Sequence, residues 1–196
     1  MRDHVARTIS TYDAIAKDYR LTATPDIRAW VQDSMRIFRT YLPGRRVLVP
    51  GSGDGRDSRY LSSLGLEVTS FDLSEQMLAV AKSLDSAGEY EKLDLRDMHS
   101  LNTTYDGVFA SGCLYHLTKA EFTACLRDIH FLLNRNGVLY LNLKEGQGEG
   151  FRDKPGPNYP GGKRARAALK GQRFYAFYSP REMRSLLGDS PAPPRG

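Results

Sequence analysis

The chain has 196 residues, of which 40% are hydrophobic and 26% charged, which excludes a disordered chain and suffices for one packed domain. A formal net charge of +5 and a pI of about 9.2 admit an anionic partner. No apolar run reaches membrane-spanning length, MRDHVARTIS lacks the apolar stretch of a signal peptide, and Cys113 and Cys125 show no CxxC spacing, so the chain reads as cytoplasmic, with no membrane span, metal site or disulfide framework.

In chain order, residues 5–19 and 26–41 pattern as helices. They precede the first strand and could cover one edge of a sheet. Tyr12 and Tyr19 share a face at i, i+7, which serves ligand contact and plain helix packing equally well. Trp30 and Phe38 on the second helix read as core. The first strand is expected at 45–50 (RRVLVP), and Gly51-Ser52-Gly53-Asp54-Gly55 joins it to a helix over 56–64. A second strand follows at 67–72 (EVTSFD), then a helix over 74–87 with Ser74 as its N-cap. Further strands are expected at 90–95 (YEKLDL), 106–111 (DGVFAS) and 137–143 (GVLYLNL). Thr118 and Glu121 have capping-box spacing before a helix over 119–133, which Asn136-Gly137 should end. Ser179, Pro180 and Glu182 repeat that signal before 182–187.

Near-continuous apolar strands alternating with helices predict an α/β fold: a Rossmann-like, doubly wound, mostly parallel sheet of about five strands with N-terminal helices. Right-handed crossovers would bring every strand's C-terminal end to one edge, where ligands bind. The chain divides within one domain into an N-terminal helical cap (1–44), a core (45–145), a basic Gly/Pro-rich loop (146–173) and a short C-terminal segment (174–196). The loop concentrates Lys154, Lys163, Arg164, Arg166, Lys170 and Arg173. It suits a local anionic contact and a solvated loop equally. After Leu187 the composition is that of turns and linker, and no further strand is found.

The glycine cluster lets the backbone turn tightly and a ligand approach it, ahead of a helix N-terminus whose free N–H groups favour electronegative atoms. Asp72 follows about 20 residues later, where a carboxylate reaches the two hydroxyls of a ribose. The site therefore reads as one for a nucleoside. The pattern is GxGxG, not GxGxxG, with Arg56 where a third dinucleotide glycine would fall, and there is no P-loop.

VLVPGSGDGRDSRYL, VTSFDLSEQMLAVA, EKLDLRDM and YDGVFASGCLYHL, in this order over residues 45–145, resemble the successive motifs of class I S-adenosylmethionine-dependent methyltransferases, and YDAIAKDY resembles the helix that often precedes them. The resemblance implies S-adenosyl-L-methionine (SAM) as cofactor across the C-terminal edge of the sheet. It implies that Gly51, Ser52, Gly53 and Gly55 line the methionine and ribose. Asp72, with Leu73 beside it, would bind the ribose hydroxyls, Asp94 and Leu95 would flank the adenine, and Ser111, Gly112 and Cys113 would lie beside the reacting sulfur. Two departures stand out. The family's acidic residue two places before the first glycine is Val49 here, followed by Pro50, so Asp54 or Asp57 would have to hold the SAM amine. The family's last two antiparallel strands are also missing. Phe174–Tyr178 (FYAFY) is a candidate cover for the free edge, in this chain or from the partner in a homodimer.

Holding nucleophile, methyl and sulfur in line at about 3 Å does most of the work of methyl transfer, so acid–base residues are optional. His116 and Tyr115, after the fourth strand, are the candidate catalytic residues, with a structural role the alternative for His116. Tyr19 could contact SAM. Arg56 and Asp57 could equally be a solvated pair, and His99 and His130 read as structural. The expected reaction is direct in-line methylation of a small-molecule acceptor, with the basic stretch admitting an anionic one. No nucleic-acid module and no Asn/Asp-Pro-Pro-aromatic tetrad supports an RNA substrate. The rival readings are an RNA or protein methyltransferase and a SAM-binding protein of other chemistry, such as cyclisation.

Overall fold

The computed structural model describes residues 3–22, 25–152 and 172–188. Five parallel strands form the main sheet: β1 (Arg46–Pro50), β2 (Glu67–Asp72), β3 (Glu89–Lys92), β4 (Tyr105–Ala110) and β5 (Leu133–Leu141), in the order β3-β2-β1-β4-β5. The order explains the sequence pattern. Strand β1 pairs on both sides, with β2 and β4, and all its residues after Arg46 are buried. Its side chains alternate between two cores. Val47 and Val49 pack with Phe109 against Val31, Met35 and Phe38 of α2 (Pro25–Tyr41) and Leu61 of α3 (Arg56–Ser63). Leu48 points the other way and joins Phe71, Val108 and Phe122, Cys125 and Ile129 of α5 (Lys119–Leu132). Both cysteines are free and buried. At the edge, β3 needs only Tyr90 inside and exposes three of its four residues.

Local signals set the helix starts. The Ser74 hydroxyl accepts from Met77 N at the head of α4 (Glu75–Leu84). Thr118 and Glu121 form a complete capping box on α5, as do Ser179 and Glu182 on α6 (Pro180–Leu187), with Pro180 at its first turn. Two expected boundaries move. Strand β3 stops at Lys92 because the Asp94 carboxylate accepts from Arg96 N and caps a 3₁₀ turn over Leu95–Ser100. The helix before β5 ends at Leu132, and Leu133 already pairs with Tyr105. Asn136, at φ 61°, absorbs a register shift inside the strand; Asn136-Gly137 does not end the helix.

The N-terminal helices divide the roles expected of them. Helix α2 packs on one face of the sheet. Helix α1 (Asp3–Ile15), with the 3₁₀ turn Ala16–Thr22, lies across the C-terminal edge. Phe38 is buried, but Trp30 is 56% exposed and is not core. His99 is exposed with Asp128 at 3.8 Å, and His130 lies edge-on to Phe131.

After β5 the chain builds a second sheet that sequence patterning does not find. Strands β6 (Lys144–Glu145), β7 (Glu149–Arg152) and β8 (Arg173–Tyr178) have the order β6-β8-β7, with β8 antiparallel to β7 and parallel to β6. The FYAFY segment therefore does not cover β5. It is the middle strand of this sheet, with Ala176 and Tyr178 in the α5-side core and Phe174 N donating to Thr8 Oγ1 on α1 at 3.0 Å. Lys154, Lys163, Arg164, Arg166 and Lys170 lie outside the described residues. Among the described residues no helix is long and apolar enough to cross a membrane.

Candidate active site

The loops after β1, β2, β3 and β4 converge at the C-terminal edge and line one cavity, roofed by Val5, Thr8, Ile9 and Tyr12 of α1 and by Tyr19. Of the residues singled out from sequence, Tyr19, Gly51, Ser52, Gly53, Asp57, Asp72, Leu73, Asp94, Leu95, Ser111 and His116 line it. Gly55 and Tyr115 are not among the lining residues.

Physical constraints shape the glycine loop. Gly51 has φ 61°, and a Cβ there would sit 2.4 Å from Cys113 Cβ, so the loop after β1 presses on the loop after β4. Ser52 N donates to Phe71 O at 2.9 Å, and Gly53 N donates to Asp72 Oδ2 at 2.8 Å. The other Asp72 oxygen accepts from Ser74 N at 2.8 Å. Asp72 thereby ties the glycine loop to the end of β2 and to the start of α4. Burial raises its pKa, and the bonds from Ser74, Gly53 and Leu73 oppose that rise. Ser52 is 8% exposed, and its hydroxyl has no hydrogen-bond partner among the described residues. Buried hydroxyls are normally bonded, so this one is poised for a ligand. Gly55, at φ 73°, serves another purpose. It backs onto Tyr90, whose hydroxyl would lie 2.6 Å from a Cβ, and it turns the chain into α3.

The acidic residues differ in how far they are committed. Asp57, 8% exposed, is paired with the partly exposed Arg56 (Nε–Oδ1 2.8 Å), so this ion pair in the cavity wall is solvated on its arginine side only. Asp54, 7% exposed, accepts only a 3.3 Å bond from Arg56 N and belongs to no ion pair among the described residues. Asp94 is held at both oxygens by Arg96 (Oδ1 to Nε 3.0 Å, Oδ2 to Nη2 2.5 Å). Burial alone would raise the Asp94 pKa, but the Arg96 bonds outweigh it and hold the carboxyl below its usual range. Arg96 continues to Glu121, which also meets His4 Nε2 at 3.0 Å, so α1 and α5 are connected beside the cavity. Ser111 Oγ accepts from Asn142 Nδ2 at 3.3 Å.

His116 is 9% exposed, and both its ring nitrogens are used. Nδ1 lies 2.6 Å from Phe174 O, an acceptor only, so Nδ1 carries the proton. Nε2, 2.7 Å from Tyr12 Oη, therefore accepts from that hydroxyl. Burial pulls the His116 pKa down to about 3, against the bond to Phe174 and with help from the charges of Arg173 and Lys144. A neutral imidazole with both nitrogens occupied is a poor general base, so the structure does not place His116 to take a substrate proton. Tyr115 does not do so either: its ring packs against His116 and Tyr175, and burial raises its pKa. The partners of His116 come from 104 and 58 positions away, and no local sequence signal announces them.

A pKa lowered on folding means that the folded state resists protonation of His116. Its contribution to stability is complete above about pH 6.5 and is lost as pH falls from there toward about 3. Between pH 6.5 and 5, wild type should lose up to about 1.4 kcal/mol per pH unit more than His116→Asn. Urea unfolding across that range checks the expectation, and parallel pH profiles would contradict it.

Residues 47–137 match the sequence model of a family described as a methyltransferase domain. The chain is 33% identical over 101 residues to a malonyl-[acyl-carrier protein] O-methyltransferase of Enterobacter lignolyticus (strain SCF1), covering 50% of this chain and 39% of that protein. It is 32% identical over 109 residues to a ubiquinone biosynthesis O-methyltransferase of Xanthomonas campestris pv. campestris (strain B100), covering 53% and 45%. The chain thus spans less than half the length of these two relatives. Among solved structures, the DhpI-SAH complex superposes with a TM-score of 0.73 at 24% identity, over 95% of this chain and 87% of that one. At that identity the likeness is one of fold, and it extends through α1 and the second sheet.

Proposed function

We propose that this chain is a class I S-adenosylmethionine-dependent methyltransferase that binds SAM in the cavity at the C-terminal edge of its sheet and transfers the methyl group to a small-molecule acceptor. The observation that carries the reading is the Asp72 carboxylate bound to the glycine loop, beside a buried Ser52 hydroxyl with no partner among the described residues. The residues present fit a nucleoside with a cationic tail. Asp72 keeps acceptor capacity for a ribose hydroxyl, because the backbone bonds from Ser74, Gly53 and Leu73 fill three of its roughly four acceptor positions. Ser52 offers its hydroxyl to the same ligand. Asp54, buried and without an ion pair among the described residues, takes the amine that the usual acidic residue at Val49 would take. Asp57 is already neutralised by Arg56 and shapes the wall. Leu73 and Leu95 flank the adenine, with Asp94, fixed by Arg96, at its rim.

When bound, SAM supplies a methyl group already activated for displacement. The protein's part is to hold an acceptor in line and to exclude water, which Tyr12 and Tyr19 do from the roof. Tyr12 is held in place by His116, a positioning residue in this reading. Of the described residues lining the cavity, His116 is the one imidazole, and it is occupied, so the acceptor's proton does not go to a histidine. The names of the two relatives favour oxygen as the accepting atom.

Calorimetry with SAM and with S-adenosylhomocysteine, followed by mass spectrometry of SAM-derived products in a metabolite extract, tests the proposal. Micromolar binding and S-adenosylhomocysteine as product are expected. Methylthioadenosine as product would transfer the site to other SAM chemistry, and no binding of either compound would remove the reading.

A further inference from the structure

The second sheet carries two cations where the cofactor cavity needs none. Arg173 opens β8 and is 7% exposed, with a buried Nε that has no hydrogen-bond partner among the described residues. Its guanidinium lies 5.5 Å from the ring centre of Tyr12 and 5.6 Å from that of Tyr175, and it donates to the Tyr12 hydroxyl. Lys144 opens β6, and its Nζ lies 5.2 Å from the ring centres of both Tyr115 and Tyr175. Pairing of β6 with β8 sets Lys144 beside Phe177, and the Tyr175 ring, at 5.2 and 5.6 Å from the two cations, is what brings them together.

Among the described residues neither cation has a carboxylate within ion-pairing distance. Burial and the Arg173 charge lower the Lys144 pKa, so the two cations repel one another. Buried charges are as a rule paired. Two like charges held together with only aromatic faces and hydroxyls around them leave an unmet demand for negative charge. The pair also adjoins the proposed transfer site: Tyr12 and Tyr19, which line the cavity, both interact with Arg173, and the Tyr115 hydroxyl would lie 3.3 Å from a Cβ on Gly112, beside Ser111.

We propose that Arg173 and Lys144 form the acceptor subsite, which takes the oxyanion group of a carboxylate- or phosphate-type acceptor between Tyr12, Tyr115 and Tyr175. The inference rests on the methyltransferase reading and deepens it, because it gives the acceptor a chemical class. Arg173 supplies its unbonded Nε–H as a directed donor, Lys144 supplies a mobile charge, and the tyrosine rings keep water out. An acceptor held this way arrives with its oxygen already ionised, so its methylation needs no general base.

The full chain is titrated with inorganic phosphate and with acetate at constant ionic strength in chloride, with and without saturating S-adenosylhomocysteine. The expected result is saturable binding of at least one of these anions. Phosphate preference marks a phosphate-type acceptor and acetate preference a carboxylate-type one. Lys144→Met and Arg173→Met should each weaken that binding at least tenfold while affinity for S-adenosylhomocysteine stays within threefold. Both variants should also melt at a higher temperature than wild type, because each removes an unpaired buried charge, and this is a readout that a merely structural cation would move the other way. Anion binding no tighter than that of chloride, or unchanged in both variants, overturns the inference and leaves the cofactor reading standing if S-adenosylhomocysteine still binds. Loss of S-adenosylhomocysteine binding by wild type overturns the cofactor reading and this one with it.

Discussion

Asp72→Ala is expected to weaken S-adenosylhomocysteine binding by roughly a hundredfold or more, on the order of two charge-assisted hydrogen bonds at about 1.5–3 kcal/mol each. The size of the effect follows from the two tasks of this carboxylate. It is the proposed partner of the ribose hydroxyls, and in the protein alone it already accepts from Gly53 N and Ser74 N. Truncation therefore removes the ligand contact and also releases the glycine loop that the ligand needs in place. Asp72→Asn, which keeps one oxygen and the shape, should recover only part of the loss, because an amide can accept from one of the two backbone N–H groups. Calorimetry on the three proteins reads the series directly. Affinity of Asp72→Ala within threefold of wild type would show that the carboxylate is a loop fastener and not a ligand contact.

Gly51→Ala should be strongly damaging for a single added methyl group. Two penalties act together. A residue with a Cβ at φ 61° costs about 1–2 kcal/mol, and the new Cβ would meet Cys113 Cβ at 2.4 Å, an overpacking of about 1–3 kcal/mol more. The variant should melt several degrees lower and bind S-adenosylhomocysteine at least tenfold more weakly, because the displaced loop carries Ser52 and Gly53. The double variant Gly51→Ala/Cys113→Gly separates the terms: it removes the collision and leaves the backbone penalty. Partial recovery of melting temperature and affinity is expected. No recovery would mean that the left-handed backbone, and not contact with Cys113, requires glycine.

What could be read in the sequence follows the range of the forces involved. Strands β1 and β4 show as near-continuous runs because they are interior to the sheet and a core packs on each of their faces, whereas β2 carries Val68 and Phe71 among polar residues. Ser74, the Thr118–Glu121 pair and the Ser179–Glu182 pair act within one helical turn, so spacing alone identifies them. Gly51, Ser52, Gly53 and Asp72 are legible because one strand–loop–helix–strand unit holds them. The second sheet escapes because its pairings are non-local and its strands β6 and β7 are too short to show a period. Trp30 escapes because α2 buries one face only, and apolar character does not say which face. His116 is visible as a histidine at the right edge, but its state is set by Tyr12 and Phe174, and that is enough to turn an expected base into a fixed neutral ring. The tie between Asp94 and Arg96 is as local as a helix cap, because the carboxylate bonds both the backbone and the guanidinium of a residue two positions on.

The bond between Phe174 N and Thr8 Oγ1 spans 166 positions, and the bonds that hold the wall around it are of similar reach. The parallel sheet from β1 to β5 can assemble from contiguous chain, but the roof over it needs residues near both extremes of the described chain at once. Loop closure of that length is entropically slow, so this wall belongs among the last parts to form and the first to open. Native-state hydrogen exchange would therefore divide the protein in time: amides of β1 and β4 exchanging only through global unfolding, and those of α1 and β8 exchanging together, sooner, as one cooperative unit.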